Sequence, residues 1–191
     1  MELSSKMKKS LQRLRDSQTF IGHYLRSMSD SETPESFDLW CALWVMSSLI
    51  GRHVYVARPR APVFLNWYVI LVADSGTARK SSAIRAATEL VRSLISDNVD
   101  MIEGKTTPEK LEATLARQTA LHSKAEAVIS ISELVTFMGR DRYSMAMPGL
   151  LTDLYDSPEQ RRSPGSLSGG STTLLQVYVT LIGASTPNWL A

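Results

Sequence analysis

Residues 69–87 read VILVADSGTARKSSAIRAA, an apolar run that leads through small and basic residues into a segment with helical spacing. From Trp67 to Val72 the chain is continuously apolar, which is typical of a strand buried on both faces of a parallel sheet. Small residues around a glycine mark a tight turn, and helical spacing of apolar residues runs from Lys80 to Ile95. The stretch predicts a buried strand, a tight turn and a helix in succession.

The same alternation of strand and helix continues to the end of the chain. Apolar runs at 125–132 and 174–186 predict two further buried strands, and Thr107 followed by Pro108 is typical of a helix start between them. An additional strand is expected before the opening stretch, at residues 53–57. We therefore predict an α/β fold, a three-layer domain with a mainly parallel central sheet.

The chain divides into two predicted parts, an N-terminal helical segment at 1–52 and the α/β core at 53–191. The first thirty residues have the pattern of an amphipathic basic helix that breaks near DSQTF. Its basic side is either a solvated face or an arm for nucleic acid or a protein partner. The next helix, DLWCALWVMSSLIG, is apolar on most sides and should be buried.

Composition sets limits on the class of protein. The chain has 191 residues, 43% of them hydrophobic, and 21 Lys and Arg against 19 Asp and Glu give a net charge of +2. That charge is too small to indicate nucleic-acid binding by itself. The single cysteine, Cys41, excludes an intramolecular disulfide and is expected to be buried. No apolar window reaches the roughly 18 residues of a membrane span, so we expect a cytoplasmic protein with no membrane partner.

The turn in the opening stretch has the features of a phosphate-binding loop. Such a loop needs a strand, a turn of small residues with inward N–H groups, and a helix N-terminus facing the anion. Lys80 would bring a positive charge to the β- and γ-phosphates, and Ser81 a hydroxyl to Mg²⁺. Asp74 and Arg79 stand where the usual pattern has glycines, which leaves Gly76 alone. The alternative is an ordinary turn between strand and helix.

Two later strands end in polar residues that suit the same chemistry. In VISISELV, Ser132 stands where an acid is usual for holding Mg²⁺, and Glu133 falls at the position of a catalytic base. Glu133 could instead be an acid that stabilises a helix N-terminus. Ser185 and Thr186 end the last strand and could sense the γ-phosphate, although with Pro187 they also fit an ordinary helix cap.

Taken in order, these segments resemble a family of phage and prophage P-loop ATPases associated with helicases and primases. The resemblance covers most of residues 33–191. It rests on the segments TPESFDLWCALWVMSSLIGRHVYV, YVILVADSGTARKSSAI, EGKTTPEKLEATL, ISELVTFMGR, LLTDLYDSPE and LIGASTPNWL.

The resemblance implies an additional-strand or superfamily-three-like P-loop NTPase that uses ATP and Mg²⁺. It implies that Glu133 and Lys80 are catalytic, that Ser81 binds Mg²⁺, and that Ser185 or Thr186 is the sensor. Because Ser132 replaces an acid, Asp153 or Asp156 is expected to supply a compensating ligand. The residues expected to bind nucleotide are Ser75, Gly76, Thr77, Ala78, Arg79, Lys80, Ser81 and Ser82.

The resemblance also implies a homo-oligomeric ring, such as a hexamer, that acts on single-stranded DNA with other replication proteins in a bacterial host. The family's chain would continue after PNWLA, so we expect a core truncated at its C-terminal end. A trans-acting arginine contributes about 10³ to 10⁵ in rate to phosphoryl transfer, so this piece should turn over weakly or not at all. Clustered arginines that could contact DNA, or else are simply solvated, are Arg140, Arg142, Arg161 and Arg162.

Three functions follow from these features. The first is the ATP-driven motor core of a replication helicase, in which EQRRSPGSLSGGSTT is either a basic pore hairpin or a surface loop. The second is a non-catalytic adaptor that keeps the fold, which Asp74, Arg79 and Ser132 favour. The third is a sequence-tolerant DNA-binding module that needs no nucleotide.

Overall fold

The computed structural model describes residues 4–76, 78–138, 146–163 and 171–190. The helices are α1 Ser5–Arg15, α2 Phe20–Ser27, α3 Glu35–Ile50, α4 Lys80–Leu94, α5 Pro108–His122, α6 Leu134–Phe137, α7 Met147–Tyr155 and α8 Pro187–Leu190, and a short 3-10 helix spans Gly51–His53. The strands are β1 Tyr55–Val56, β2 Val63–Phe64, β3 Tyr68–Val72, β4 Asp100–Glu103, β5 Glu126–Ile131, β6 Gln160–Ser163, β7 Thr172–Leu175 and β8 Tyr178–Ser185.

The centre of the molecule is a four-stranded sheet in the order β3-β8-β5-β4, with every neighbouring pair parallel. The last strand of the chain, β8, lies between β3 and β5. Val72 at the end of β3 pairs with Ser185, and Ile131 at the end of β5 pairs with Gly183. The carboxyl ends of these three strands therefore lie at nearly the same level.

Helices cover both faces of the sheet, each over its own hydrophobic core. One core joins α2, α3 and α4 to one face, through residues such as Trp44, Ala87 and Ile182. The other joins α5 and α7 to the opposite face, through residues such as Leu115 and Ile129. Successive residues of a strand point to opposite faces, so β5 sends Val128 to the first core and Ile129 to the second. The predicted α/β class with a parallel sheet is confirmed.

Local sequence explains where several helices begin. The Thr107 hydroxyl accepts a hydrogen bond from the backbone N–H of Lys110, and Pro108 occupies the first turn of α5, as predicted. The Thr19 hydroxyl accepts in the same way from Gly22 at the start of α2. The basic N-terminal pattern is broken between Arg15 and Phe20, so it forms two helices, as its DSQTF segment predicted.

The region before β3 differs from prediction. His53 belongs to the 3-10 helix, and the predicted strand at 53–57 shortens to β1, which pairs antiparallel with β2. This pair forms a separate two-stranded sheet and does not join the parallel sheet. Each strand has only two residues; β1 is exposed, whereas Phe64 of β2 is half-buried.

The last predicted strand, 174–186, is also divided. Gln176 adopts a left-handed backbone conformation with φ of 46°, which interrupts the extended chain between β7 and β8. β7 instead pairs antiparallel with β6, and residues 164–170 between these two strands lie outside the described residues. The apolar residues of 174–186 predicted an extended backbone. They did not predict that its first part would pair with β6 instead of joining the parallel sheet.

The buried helix α3 fixes the N-terminal segment to the core. Cys41 is completely buried there, as predicted, and burial raises the pKa of its thiol to about 12, with Asp38 adding to the shift. Ser48 on the same helix shares a hydrogen bond of 2.9 Å with Thr180 of β8. Within the part of the chain that the structure describes, no helix combines the length and apolar character needed to cross a membrane.

Candidate functional site

A cavity of about 450 Å³ opens at the carboxyl ends of β3, β5 and β8. In an open parallel sheet this edge is where ligands usually bind, because loops and helix N-termini converge there. Its volume lies in the range of about 300–1,000 Å³ that is common for ligand pockets. It collects polar side chains from three segments that are distant in the sequence, and these are Ser75, Lys80, Ser81, Ser132, Glu133, Ser185 and Thr186.

The loop between β3 and α4 lines one wall of this cavity. Gly76 has a φ of +77°, a conformation that side chains other than glycine rarely adopt, and an added Cβ would meet nothing within 4 Å. Arg79 is also left-handed, with φ of 42°, and immediately precedes the first residue of α4. The loop therefore turns tightly at two points and presents its backbone to an open space.

The N-terminus of α4 is electrostatically positive. Its cap, Arg79, makes no side-chain hydrogen bond to the helix, and the first turn contains no acidic residue. Lys80 and Ser81 have N–H groups at the positive end of the helix dipole, where no intrahelical acceptor exists for them. A lysine at this end is unfavourable without an anion. These backbone groups and the positive end of the dipole favour a nearby anion.

Lys80 and Arg79 make different contacts near this loop. The ammonium of Lys80 donates to the backbone carbonyls of Ala73, at 2.5 Å, and Asp74, at 3.0 Å. The guanidinium of Arg79 forms an ion pair with Glu32, which lies in the segment that connects α2 to α3. Both partners of this ion pair are more than half exposed. Lys80 is thus folded back over its own loop.

The opposite wall comes from the end of β5. Ser132 and Glu133 follow the strand and are both exposed, and Glu133 precedes the short helix α6 as its N-cap residue. The carboxylate of Glu133 does not cap that helix, since its side chain makes no cap hydrogen bond. The backbone carbonyl of Glu133 accepts a hydrogen bond from the Thr136 hydroxyl at 2.8 Å. The carboxylate is therefore available to the cavity that Glu133 lines.

The end of β8 forms the floor between these two walls. Ser185 is buried to 7% exposure, and its hydroxyl donates to the carbonyl of Thr186 over a long 3.3 Å. Thr186 precedes α8, and Trp189 of that helix also lines the cavity. The structure thus places Ser185 and Thr186 between the loop and Glu133, because β8 lies between β3 and β5.

A second cavity, also of about 450 Å³, adjoins the first and lies between α4 and the carboxyl ends of β4 and β5. Ser81 and Ser132 line both cavities and therefore lie at the boundary between them. Behind them, Thr88 and Ser130 share a buried hydrogen bond of 2.6 Å that ties α4 to β5. This bond fixes the distance between the loop wall and the Glu133 wall.

The oxygen atoms at this cavity suit Mg²⁺ better than a metal ion that is held by protein side chains alone. Among the described residues, no group of three or more His, Cys, Asp or Glu is placed to hold a metal. Mg²⁺ normally keeps several waters and takes only one or two protein ligands together with phosphate oxygens. The hydroxyl of Ser81 and the carboxylate of Glu133 at one cavity fit that pattern.

Other residues predicted for the site lie elsewhere. Ser82 faces the adjoining cavity, and Ala78 lines neither of the two. Asp153 is ion-paired with Arg161, and Asp156 lies near the β1–β2 pair, so neither lines the candidate site. The predicted residues that lie outside the described ones are Thr77, Arg140 and Arg142.

Of the predicted DNA-binding arginines, Arg161 forms ion pairs with two carboxylates of the protein itself. Its guanidinium binds Glu112 at 2.6 Å and Asp153 at 3.2 Å and is only 16% exposed. Burial lowers its pKa, but the hydrogen bonds to the two carboxylates outweigh that effect and raise the pKa overall. Arg162, the next residue of β6, is exposed.

Sequence reasoning did not assign four cavity-lining residues to the site. Leu134, Val135 and Ala184 bring apolar surface, and Trp189 an aromatic ring. For Leu134, Val135 and Ala184, the available signal was their position beside Glu133 or Ser185, because neighbours of a strand end share its edge. Trp189 lies in the short helix that follows β8. Glu32 left no such signal, since it is far from Arg79 in the sequence.

Comparison of the sequence with known protein-family models gave no match, and comparison with curated proteins gave none.

Proposed function

We propose that the chain is the nucleotide-binding core of a P-loop-type ATPase. One observation carries this proposal: a single cavity holds a glycine-containing loop with Lys80 at a helix N-terminus, the acid Glu133 and the polar strand end Ser185. The strand order supports it, because β8 is inserted between the loop strand and the acid strand, as the additional-strand resemblance implies.

Each residue has a role in ATP binding under this proposal. The N–H groups at the start of α4 and the ammonium of Lys80 would hold the phosphates, after Lys80 leaves the carbonyl of Ala73. Mg²⁺, when bound, neutralises phosphate charge, and Ser81 would hold it directly with Glu133 acting through water. The ring of Trp189 and the exposed side chain of Val135 offer apolar surface to the base.

Hydrolysis would use the carboxylate of Glu133. A water molecule attacks the γ-phosphorus, Glu133 orients it and accepts its proton, and the bond to the bridging oxygen breaks to release ADP and phosphate. Ser185 or Thr186 would sense the γ-phosphate from the floor of the cavity. Ser132, which replaces a second acid, is expected to make turnover slow.

The broader proposal is a motor core of phage-type DNA replication that acts on single-stranded DNA as a homo-oligomeric ring, together with other replication proteins. Such a role would place it in the cytoplasm of a bacterial host. Arg162, exposed on β6, is a candidate contact with DNA. The proposal predicts that DNA stimulates turnover.

The second candidate function is a non-catalytic adaptor of the same fold. It is favoured by Arg79, which stands where a glycine is usual and forms an ion pair with Glu32, a residue outside the loop. In an adaptor, this ion pair would hold the loop closed against phosphates. ATP binding and ATP turnover must therefore be measured separately.

The test is calorimetric titration of ATP with Mg²⁺ into wild type, Lys80→Ala and the control Arg85→Ala. Arg85 is exposed on the same helix but does not line the candidate cavity. We expect Lys80→Ala to weaken binding at least about tenfold and Arg85→Ala to bind normally. Turnover with and without oligothymidylate then separates motor from adaptor. Absence of ATP binding by the wild type would contradict the ATPase motor and leave the adaptor as the better explanation of the fold.

A further inference from the structure

Several large apolar side chains are exposed together on the β1–β2 hairpin. Every residue from 53 to 63 is exposed, including the large apolar side chains Val54, Tyr55, Val56 and Val63 at 43% to 56% exposure. Contiguous exposed apolar surface on a soluble domain usually marks an interaction site. The candidate ATP site does not use any of these residues.

The charge of this hairpin is positive. No acidic residue occurs between positions 39 and 73, whereas Arg58 and Arg60 lie in the loop that joins the two strands. Neither arginine forms an ion pair with a described residue. Of the acids that line the adjacent clefts, Glu159 is neutralised by Arg52 and Asp156 is the other. The hairpin therefore faces solvent with an excess of positive charge.

The hairpin is firmly anchored despite its exposure. The side chain of Arg52 is only 9% exposed and donates to the carbonyls of Ser157, at 2.7 Å, and Val177, at 2.8 Å. Its guanidinium also stacks 4.1 Å above the ring of Phe64, which in turn contacts Tyr178 edge to face. These contacts fix the base of the hairpin to the amino end of β8, away from the ATP cavity.

Clefts lie on both sides of the hairpin loop. One of about 470 Å³ is lined by Tyr55 and Arg58, and another of about 700 Å³ by Arg58, Arg60 and Asn66. Pro59 and Pro62 restrict the backbone between them, so less conformational entropy is lost when a ligand orders the loop. A positive groove with an exposed aromatic ring is the usual platform for single strands.

We propose that the β1–β2 hairpin surface, residues 52–64, binds single-stranded nucleic acid. Arg58 and Arg60 contact backbone phosphates, and the ring of Tyr55 stacks on a base. The inference rests on the proposed action on single-stranded DNA and names the surface that performs it. β3 connects the hairpin to the phosphate loop over five residues, about 15 Å, so the two sites lie at opposite ends of one strand.

The test is fluorescence anisotropy with labelled oligothymidylate of about 20 nucleotides, at low salt and without ATP. We expect the double variant Arg58→Gln, Arg60→Gln to bind at least about tenfold more weakly and its salt slope to fall by about 1.4. Tyr55→Leu should bind about fivefold more weakly with an unchanged slope, because it removes stacking and no charge. The matched control Lys105→Gln, Lys110→Gln removes the same charge near the opposite end of the sheet and should change binding less than about twofold.

Unchanged oligothymidylate binding in the Arg58 and Arg60 variant, or an equal loss in the lysine control, would overturn the inference. So would absence of binding by the wild type, or binding of polyglutamate in its place, which would assign the surface to an acidic protein. ATP titration of the same variants distinguishes the two proposals. Normal ATP binding without oligonucleotide binding rejects only the proposal for the hairpin. Oligonucleotide binding without any ATP binding rejects the proposal that the chain is an ATPase.

Discussion

The ammonium of Lys80 lies 2.5 Å from the carbonyl oxygen of Ala73, so the first residue of α4 bonds back to the residue after β3. A second bond reaches the carbonyl of Asp74 at 3.0 Å. The Lys80 ammonium therefore bonds both ends of the loop between β3 and α4 to each other. Anion binding must replace these two bonds with stronger, charge-paired ones.

Lys80→Ala should separate a structural role from a binding role. Because both bonds are made to a partly exposed loop, we expect the free energy of unfolding to fall by no more than about 2 kcal/mol. ATP with Mg²⁺ should raise the melting temperature of wild type and of Arg85→Ala, but not that of Lys80→Ala. A variant whose melting temperature still rises with ATP would show that Lys80 does not hold the phosphates.

Glu133→Gln should retain ATP binding and lose turnover. Glutamine keeps the shape of the side chain but cannot accept a proton from water, so the rate should fall by a factor of about 10² or more. Phosphate release under saturating ATP measures this rate. Glu109→Gln is the control, since Glu109 lies in the first turn of α5 and does not line the cavity. Equal rates in Glu133→Gln and wild type would leave Glu133 as an ordinary helix N-terminal acid.

Glu32→Gln should bind ATP more tightly than wild type. It releases Arg79 from its ion pair, and the freed guanidinium at the cavity can then contact phosphate. Because the pair is largely exposed, the gain is modest, about two- to threefold in the dissociation constant. Calorimetry measures it, with Glu35→Gln as the control because Glu35 pairs with Arg15 instead. Weaker binding in Glu32→Gln would mean that the ion pair positions the loop for nucleotide.

Asp38→Asn should flatten the dependence of stability on pH. Burial, at 4% exposure, raises the pKa of Asp38 above 3.8 despite the hydrogen bond that its carboxylate accepts from Thr33. The folded state therefore holds this proton more tightly than the unfolded state, so the stabilisation is present below pH 3.8 and is lost as pH rises through the folded pKa.

Urea unfolding at several pH values measures this effect. Asp38→Asn should be at least as stable as wild type near pH 7. The two proteins should converge near pH 3, where the wild-type Asp38 carboxyl is neutral in the folded and the unfolded state. Asp97→Asn, at an exposed loop position, should follow the wild-type profile. A large loss of stability in Asp38→Asn near pH 7 would show that the charged form is the one required.

Local sequence was sufficient to predict the elements that hold the site. The apolar runs of β3 and β5, the cap of α5 at Thr107 and the turn around Gly76 are each specified by neighbouring residues. Burial on two faces, capping hydrogen bonds and left-handed backbone conformations all act over a few residues. For the same reason, the positions of Lys80, Glu133 and Ser185 at element ends could be predicted.

Tertiary structure alone decided which of these elements meet. β8 lies between β3 and β5 because parallel pairing joins strands that are distant in the chain, and an apolar run does not encode its neighbour. The same nonlocal packing separated β1 and β2 from the main sheet and paired Arg161 with Glu112. The sequence by itself determined an α/β chain with a positively charged loop. Only the folded sheet brought Glu133 and Ser185 to that loop. Such long-range contacts arise from packing the whole domain.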